Sequence, residues 1–382
     1  MIAAFLRLYR GETKIDFIGK RNIWFVISGV ILAICVGSLI VRGFDYGIEF
    51  EGGVAIQAPI AADGPAGDLS DAEVIAEVRG ALAEFEADDA QIQVEESTDG
   101  GDRDVIVQTA EIADPELQQE VVNAVSGSVG ATIEETDSQR IGSKWGAEIT
   151  RKAVRALVIF VVVILAFLAW RFDWKMSIAA IVALGHDLLI TAGVYSLVGF
   201  EVTPSTVIAI LTILGYSLYD TVVVFDKVEE DADAYAGTGR MTYQGAANLA
   251  MNEVFARSLN TSMTTLIPVA ALLFVGAGLA GAATLKDLAL ALFVGIVAGA
   301  YSSIYIATPV LSIMKEREPR YRNVREKMQR AAERAEARGA DVLSPVEAAA
   351  GVGAAPVRPR TPTAGPARAR AGSKKAKRRR QR

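Results

Sequence analysis

The sequence has very little of the chemistry that builds disulfides and metal centres. Its 382 residues include one cysteine, Cys35, and one histidine, His186. A single cysteine excludes a disulfide framework, and a single histidine excludes multi-histidine metal sites. The glycine-rich fingerprints of nucleotide binding and the Gly-x-Ser-x-Gly nucleophile motif are also missing. We therefore expect no metal, no other cofactor and no enzymatic activity.

Basic residues are scarce in one long segment. Between Arg42 and Gln139 there is no lysine, and Arg42, Arg79 and Arg103 are the only arginines. The many carboxylates of this segment are interpreted as a solvated surface. The C-terminus is strongly basic instead, because it ends in KKAKRRRQR. This run could touch anionic lipid, the ribosome or nucleic acid, or be a passive solvated tail, and we expect no specific nucleic-acid partner.

Long apolar runs dominate the rest of the chain, which is 51% hydrophobic with a mean hydropathy of +0.30. Basic residues precede the first run and follow the last, which places both termini in the cytoplasm by the positive-inside rule. We therefore expect a multi-pass α-helical protein with an even number of crossings. Six runs are long enough to span a bilayer, at residues 22–41, 153–170, 176–200, 203–225, 263–281 and 287–314.

The spans divide the chain into five parts. We expect a cytoplasmic N-terminus (1–21), a first membrane helix (22–41), an extracytoplasmic domain (42–140), five further membrane helices with a cytoplasmic loop at 226–257 (141–314), and a charged, disordered cytoplasmic tail (315–382).

The extracytoplasmic part has the pattern of a small folded domain. Its β-α-β-β-α-β order is that of a ferredoxin-like α+β domain. The predicted elements are a strand at 47–57, a helix at 70–85, strands at 91–96 and 104–109 joined by a turn at 99–102, a helix at 114–129 and a strand at 131–137.

An acidic residue lies inside the fourth apolar run. Asp220 shares a helix face with Thr212 and Tyr216, because the three are spaced four residues apart. An aspartate within the bilayer costs about 2.5–3.5 kcal/mol on insertion scales, so such residues usually serve proton or ion transfer. An alternative is that Asp220 only hydrogen-bonds a neighbouring helix.

The fifth run begins with a polar stripe of its own. Arg257, Thr261 and Thr264 follow helical spacing. Our hypothesis is that Asp220 loads and unloads a proton, while Arg257 favours its charged form when close and is released when the bundle shifts. Alternatively, Arg257 is an interfacial anchor at the headgroups.

A second acid, Asp187, and His186 lie in the third run. Adjacent helical residues point about 100° apart, so the two cannot face the same partner. We assign Asp187 a supporting role in proton coupling. Interhelical hydrogen bonding without proton transfer is the alternative for both residues, and the role of His186 stays open.

Three stretches of the sequence resemble one membrane-protein family. They are GIEFEGGVAIQ after the first run, GHDLLITAGVYSLVGFEVTPSTVIAILTILGYSLYDTVVVFDKV across the third and fourth, and FARSLNTSMTTL before the fifth. They are similar to the SecF subunits of the bacterial Sec protein-translocation machinery, and the resemblance extends over residues 15–314.

The resemblance implies a six-helix half of the resistance-nodulation-division architecture in the bacterial cytoplasmic membrane. It implies a SecD partner, association with the SecYEG channel and other accessory Sec subunits, and use of the proton-motive force to help draw translocating preproteins out late in export. The family's two membrane-embedded charges correspond to Asp220 and Arg257.

The family's glycine motif corresponds to Gly47, Phe50, Gly52 and Gly53, with Glu49 where the family has aspartate. Tyr219, before the membrane aspartate, stands where the family often has asparagine.

Two other functions remain open at this point. A proton-coupled exporter of small molecules or lipids could share the architecture, although a domain of about 100 residues is small for enclosing a substrate pocket. A scaffold that only stabilises another membrane complex would not need the two charges. The coupling ion could be a proton or sodium, because a carboxylate serves either.

Overall fold

A computed structural model describes residues 15–85, 87, 90–96, 103–277 and 283–336 of the chain. The turn predicted at 99–102, the first 14 residues and the tail after residue 336 lie outside the described residues.

The α-helices are α1 (Arg21–Val41), α2 (Ile48–Glu51), α3 (Asp71–Leu82), α4 (Pro115–Val129), α5 (Ser143–Arg171), α6 (Trp174–Val198), α7 (Pro204–Asp231), α8 (Tyr243–Ala271), α9 (Ala283–Ser302), α10 (Thr308–Glu316) and α11 (Pro319–Glu336). The strands are β1 (Asp45–Tyr46), β2 (Gly53–Ile60), β3 (Gln91–Glu96), β4 (Arg103–Thr109), β5 (Asp137–Ile141) and β6 (Glu201–Val202).

Among the described residues, six helices are long and apolar enough to cross a membrane, which confirms the predicted number of spans. The spanning segments are Arg21–Val41, Ser143–Arg171, Trp174–Val198, Pro204–Ala236, Tyr243–Gly276 and Lys286–Glu316. The fourth and fifth continue α7 and α8 through single π-helical turns, and the sixth joins α9 to α10 through a third turn at Ser303–Ala307.

The helices extend beyond the apolar runs that predicted them. The second span begins ten residues before residue 153, in a charged stretch that has no hydropathy signal. Most of the segment expected as a loop at 226–257 is helical, because α7 continues to Asp231 and α8 begins at Tyr243. Hydropathy marks where a helix meets lipid, whereas the backbone hydrogen bonds continue past that boundary.

The domain between α1 and α5 contains a four-stranded sheet. Its strand order is β3-β4-β2-β5, and every neighbouring pair is antiparallel. Helices α3 and α4 pack with the sheet around an apolar core that includes Val54, Leu82 and Val105. We call residues 42–142 the sheet domain, and the end of the bundle that carries it the sheet side.

The helix starts of the sheet domain follow local sequence signals. Ser70 and Glu73 form a reciprocal capping box at the start of α3, and Asp114 accepts a 2.9 Å hydrogen bond from the backbone of Glu116 at the start of α4. Such caps satisfy amide groups that a helix start leaves unpaired.

Two of the predicted strand positions differ from the structure. The last strand is Asp137–Ile141 rather than residues 131–137, because the Glu135 carboxylate accepts bonds from the amide and hydroxyl of Thr132 and holds this segment in a turn. The first predicted strand, 47–57, is interrupted by α2. Its ladder starts only at Gly53, after Gly52 adopts a φ of +85°.

Candidate functional site

Asp220 lies in the interior of the helical bundle. It is only 5% exposed on α7. Its two carboxylate oxygens lie 2.8 and 2.7 Å from the hydroxyl of Ser258 on α8, and that hydroxyl donates to one of them at a time. The carboxyl group therefore has hydroxyl donors, Ser258 and also Ser303, and it can still take up a proton.

Arg257 lies at the same depth as Asp220 but points elsewhere. It immediately precedes Ser258, and its side chain is exposed. In the part of the chain that the structure describes, no ion pair joins Arg257 to an acid. The sequence hypothesis placed Arg257 close to Asp220, whereas the structure shows that Ser258 is the residue which meets the carboxylate. Arg257 acts on Asp220 only through longer-range electrostatic attraction.

The other polar residues predicted for α7 and α8 are spread around their helices. The Thr212 hydroxyl bonds the Ile208 carbonyl, and the Thr261 and Thr264 hydroxyls bond backbone carbonyls of α8. Tyr216 has a buried hydroxyl without a partner among the described residues. A four-residue step on a helix turns about 40° past a full circle, so Thr212 has rotated away from Asp220 and is exposed.

Asp187 is the most enclosed acid of the bundle, with 0% exposure on α6. One of its oxygens accepts hydrogen bonds from Ser217 of α7 at 2.5 Å and Ser302 of α9 at 2.8 Å. The other lies 3.1 Å from Nδ1 of the adjacent His186. Asp187 therefore joins three helices through saturated hydrogen bonds.

His186 faces a different neighbour, as the 100° separation predicted. Its Nε2 lies 3.3 Å from the hydroxyl of Ser28 on α1, and Ser28 donates to Tyr301 of α9 at 3.2 Å. The Tyr301 hydroxyl donates in turn to the carbonyl of Trp24. This chain of polar groups runs from α1 to Asp187.

Hydroxyl groups lie near both acids, and the sequence did not reveal their role. The Ser302 hydroxyl donates to Asp187. The next residue, Ser303, has its hydroxyl 2.9 Å from that of Thr221, which follows Asp220 in the sequence. The sequence signal was the small-residue face of the sixth span. Gly299 lets α9 approach α7 so closely that an added side-chain carbon would lie 3.0 Å from Ser217.

The glycine motif after α1 serves packing at the sheet side. A side-chain carbon on Gly52 would lie 2.8 Å from the backbone of Ser143, and one on Gly53 would lie 2.4 Å from the carbonyl oxygen of Thr109. The carbonyl of Phe50 lies against Gly146 of α5. Gly47 donates its amide to Val202 at 3.1 Å, next to the parallel pair of β1 and β6.

These residues suit proton transfer better than metal binding. The described residues contain no group of three or more histidine, cysteine, aspartate or glutamate side chains that could hold a metal ion. Serine and threonine hydroxyls both donate and accept, so the hydroxyls beside each acid can donate to a carboxylate or accept from a carboxylic acid.

The chain is similar to protein-export membrane proteins in both sequence and structure. A family model, "Protein export membrane protein SecD/SecF, C-terminal", matches residues 121–317. The chain is 42% identical to the protein translocase subunit SecF of Streptomyces coelicolor over 322 residues, which cover 84% of this chain and 82% of the relative. It is 41% identical to SecF of Mycobacterium tuberculosis over 319 residues, covering 83% and 71%.

A solved structure has the same fold. The crystal structure of SecDF from Thermus thermophilus, described as a translocon-associated membrane protein, superposes with a TM-score of 0.67 at 32% identity. The match covers 80% of this chain and 39% of the longer one. This chain therefore spans about two fifths of the SecDF polypeptide.

Proposed function

This chain belongs to the SecF family of protein-translocase subunits, and from that premise we propose that it uses the proton-motive force, together with a SecD partner, to assist late protein export. An auxiliary role in Sec translocation follows from the family. Use of the proton-motive force is supported by the buried carboxyl of Asp220, whose hydrogen-bond partners are hydroxyl groups. The family favours polypeptide export over the export of small molecules.

The exposed polar groups of the bundle support a SecD partner. Arg257 and Thr264 on α8 and Tyr219 on α7, the last 57% exposed, would face hydrocarbon if this chain stood alone. A charged or polar group that faces lipid is costly, so we expect a second protein to cover this face. The single SecDF polypeptide, of which this chain matches one part, supports a SecD-like half as that protein.

The orientation follows from charge. Basic residues flank α1 before Arg21 and follow α10, so both termini lie in the cytoplasm and the sheet domain lies outside.

The antiparallel β3-β4-β2-β5 order with two helices supports a ferredoxin-like domain, and the six spans support half of a resistance-nodulation-division unit. SecYEG, other accessory Sec subunits and the emerging preprotein are the further partners.

The coupling step is a change in the charge of Asp220. When Asp220 is ionised, it attracts Arg257, which lies at the same depth, and draws α8 toward α7. When Asp220 is protonated, that attraction is lost and Ser258 remains as its partner. Asp187, held by three donors, keeps α6, α7 and α9 together while Asp220 changes state. Alternation between the two arrangements moves the sheet domain.

Translocation into inverted membrane vesicles tests this proposal. Vesicles carrying SecYEG, SecD and either the wild-type chain or Asp220→Asn should be compared with and without a proton gradient. We expect Asp220→Asn to abolish the stimulation by the gradient, because an amide cannot carry the proton. Sodium-free buffer should leave the wild-type stimulation unchanged if the ion is a proton.

Asp226→Asn on the same helix is the matched control. Asp226 is 44% exposed and pairs with Arg171 at the surface, so the variant should keep the full stimulation. Full gradient-dependent export by Asp220→Asn would remove Asp220 from the mechanism.

A further inference from the structure

Glu201 is a buried acid on the sheet side of the bundle that the coupling step above does not use. It is the first residue of β6, between α6 and α7, and is only 8% exposed. Its Oε1 atom is buried and has no hydrogen-bond partner among the described residues. A buried carboxylate oxygen without water or a donor is costly, so this site favours a bound proton even though the Gln108 side chain also contacts the carboxyl group.

The groups around Glu201 come from both the sheet domain and the bundle. Asp45 is its direct neighbour in the parallel pair of β1 and β6. Two carboxylates flank Gly47, since a side-chain carbon placed there would lie 2.5 Å from Oε2 of Glu49 and 3.6 Å from Oε2 of Glu201. The other titratable, charged or polar groups nearby are Tyr195 on α6, Lys286 and Asp287 on α9, Glu95 on β3 and Gln108 on β4.

The electrostatic environment of Glu201 depends on the docking of the sheet domain. Burial, followed by repulsion from Asp287, Glu49 and Asp45, raises the pKa of Glu201 to about 7, and the Gln108 side chain partly opposes the rise. Two of these acids, and Gln108, belong to the sheet domain. If this domain moved away, water would reach Glu201 and the repulsion would weaken.

We propose that Glu201 is a second proton-binding site, at which a bound proton holds the sheet domain against the bundle and loss of the proton releases it. When Glu201 is neutral, β1 remains paired with β6, and the Gly47 amide donates a hydrogen bond to the Val202 carbonyl. The ionised acid repels Asp45 and Glu49 on the other side of the contact. This inference deepens the proposed function, because movement of the sheet domain would be controlled by the acidity on its own side of the membrane.

The sign and size of the effect follow from linkage. Glu201 titrates at about 7 in the docked conformation and near 4.5, the ordinary value for glutamate, once exposed. The docked form therefore binds more protons between these values, and docking weakens as the pH rises through that window. Between about pH 5 and pH 8.5 the ratio of docked to undocked molecules should fall roughly 70-fold.

A distance measurement on the full chain tests this proposal. Spin labels can be placed on α4 by Gln119→Cys and at the sheet-side end of α6 by Val198→Cys, both exposed positions, in a Cys35→Ser background. The labelled chain in lipid nanodiscs should show a short distance at low pH. A population with longer distances should grow as the pH rises.

Two variants identify the titrating group. Glu201→Gln cannot ionise, so the short distance should persist at every pH. Asp287→Asn removes a repelling charge without touching Glu201 and should move the transition to higher pH, because docking is then less costly when Glu201 ionises. Glu120→Gln, an exposed acid on the same domain, should behave like the wild type.

The outcomes separate this proposal from the export function. A distance that does not change with pH in the wild type, a pH response that survives in Glu201→Gln, or an unmoved transition in Asp287→Asn would overturn it. Because the measurement involves no SecD, preprotein or gradient, such a result would leave the role of Asp220 untouched. Conversely, failure of Asp220 in the export assay would not alter the distance response.

Discussion

The buried side chains of the sheet domain are apolar apart from Ser126 and Thr109, whereas many of those in the helical bundle carry hydroxyl or carboxyl groups. Val54, Leu82 and Val105 are fully buried in the domain core. In the bundle the fully buried positions include Asp187, Ser217 and three hydroxyl residues of the sixth span, Ser302, Ser303 and Thr308. The apolar side chains of α5 point outward instead, such as Val162, which is 57% exposed.

The difference reflects two solvents acting on one chain. Water drives apolar groups inward in the sheet domain. Hydrocarbon offers no hydrogen bonds, so the polar groups of the bundle must find partners inside it. A buried polar group in the bundle is therefore ordinary as structure when it is saturated, like Asp187, and chemically informative when it has spare capacity, like Asp220.

The largest expected effect is a cavity in the apolar core. Leu82→Ala should destabilise the sheet domain by about 2–5 kcal/mol, because it removes a fully buried side chain from a packed interior. Hydrogen exchange of the full chain in detergent should show faster exchange in β2–β4 and unchanged exchange in α6. Equal acceleration in both regions would mean that they do not unfold separately.

Replacing an exposed apolar residue by lysine should be costly on the lipid-facing surface and nearly neutral on the water-facing surface. Val162→Lys on α5 places a charge on the lipid-facing surface and should cost about 2.5–3.5 kcal/mol. Leu117→Lys, on the exposed face of α4, should change stability by no more than about 0.5 kcal/mol. The amount of each variant in the membrane fraction measures the difference. Equal amounts would contradict the assignment of α5 to lipid.

The saturated acid of the bundle should behave as a structural group. Asp187→Ala leaves the Ser217 hydroxyl without an acceptor, at roughly 1–3 kcal/mol for a buried group left unpaired, and leaves Ser302 with only the Gly299 carbonyl at 3.3 Å. The melting temperature in mild detergent should fall, while Asp187→Asn, which keeps an acceptor oxygen, should lie close to the wild type. If Asp187→Asn instead abolished gradient-driven export at unchanged stability, Asp187 would carry protons rather than hold helices.

The smallest effect is expected at the surface, where neither solvent imposes a strong requirement. Arg171 and Asp226 form an ion pair with side chains 42% and 44% exposed. Arg171→Ala should therefore change the melting temperature hardly at all, since such pairs contribute about 0–1 kcal/mol. A loss comparable to that of Asp187→Ala would show that the pair is shielded by a partner protein.

The spans were predictable because burial in lipid leaves a long apolar run, and the acids stood out as exceptions within those runs. The hydrogen-bond partners of these acids were not predictable, since Ser258 and Ser302 are common residues whose role depends on how α8 and α9 pack. Arg257 was selected by its helical spacing with Thr261 and Thr264 and by the family resemblance, neither of which fixes the direction of a side chain. Glu201 lies in a short link between two spans, where the bundle and the sheet domain together bury it.

The turn at Thr132–Glu135 was missed for a local reason. Alanine, isoleucine and polar residues alternate in 131–137 as they would in a strand, but the Glu135 carboxylate caps the Thr132 amide instead. The actual edge strand, Asp137–Ile141, buries only Ile141 and so carries little hydrophobic signal.

The central claim is that the Asp220 carboxyl gains and loses a proton within the bundle. Infrared difference spectroscopy of the reconstituted chain with SecD measures this directly, because a protonated carboxylic acid absorbs apart from a carboxylate. We predict pH-dependent carboxylic-acid bands in the wild type and in Asp226→Asn, of which one is lost in Asp220→Asn while the band of Glu201 remains. A spectrum of Asp220→Asn that keeps every pH-dependent band of the wild type would contradict the account.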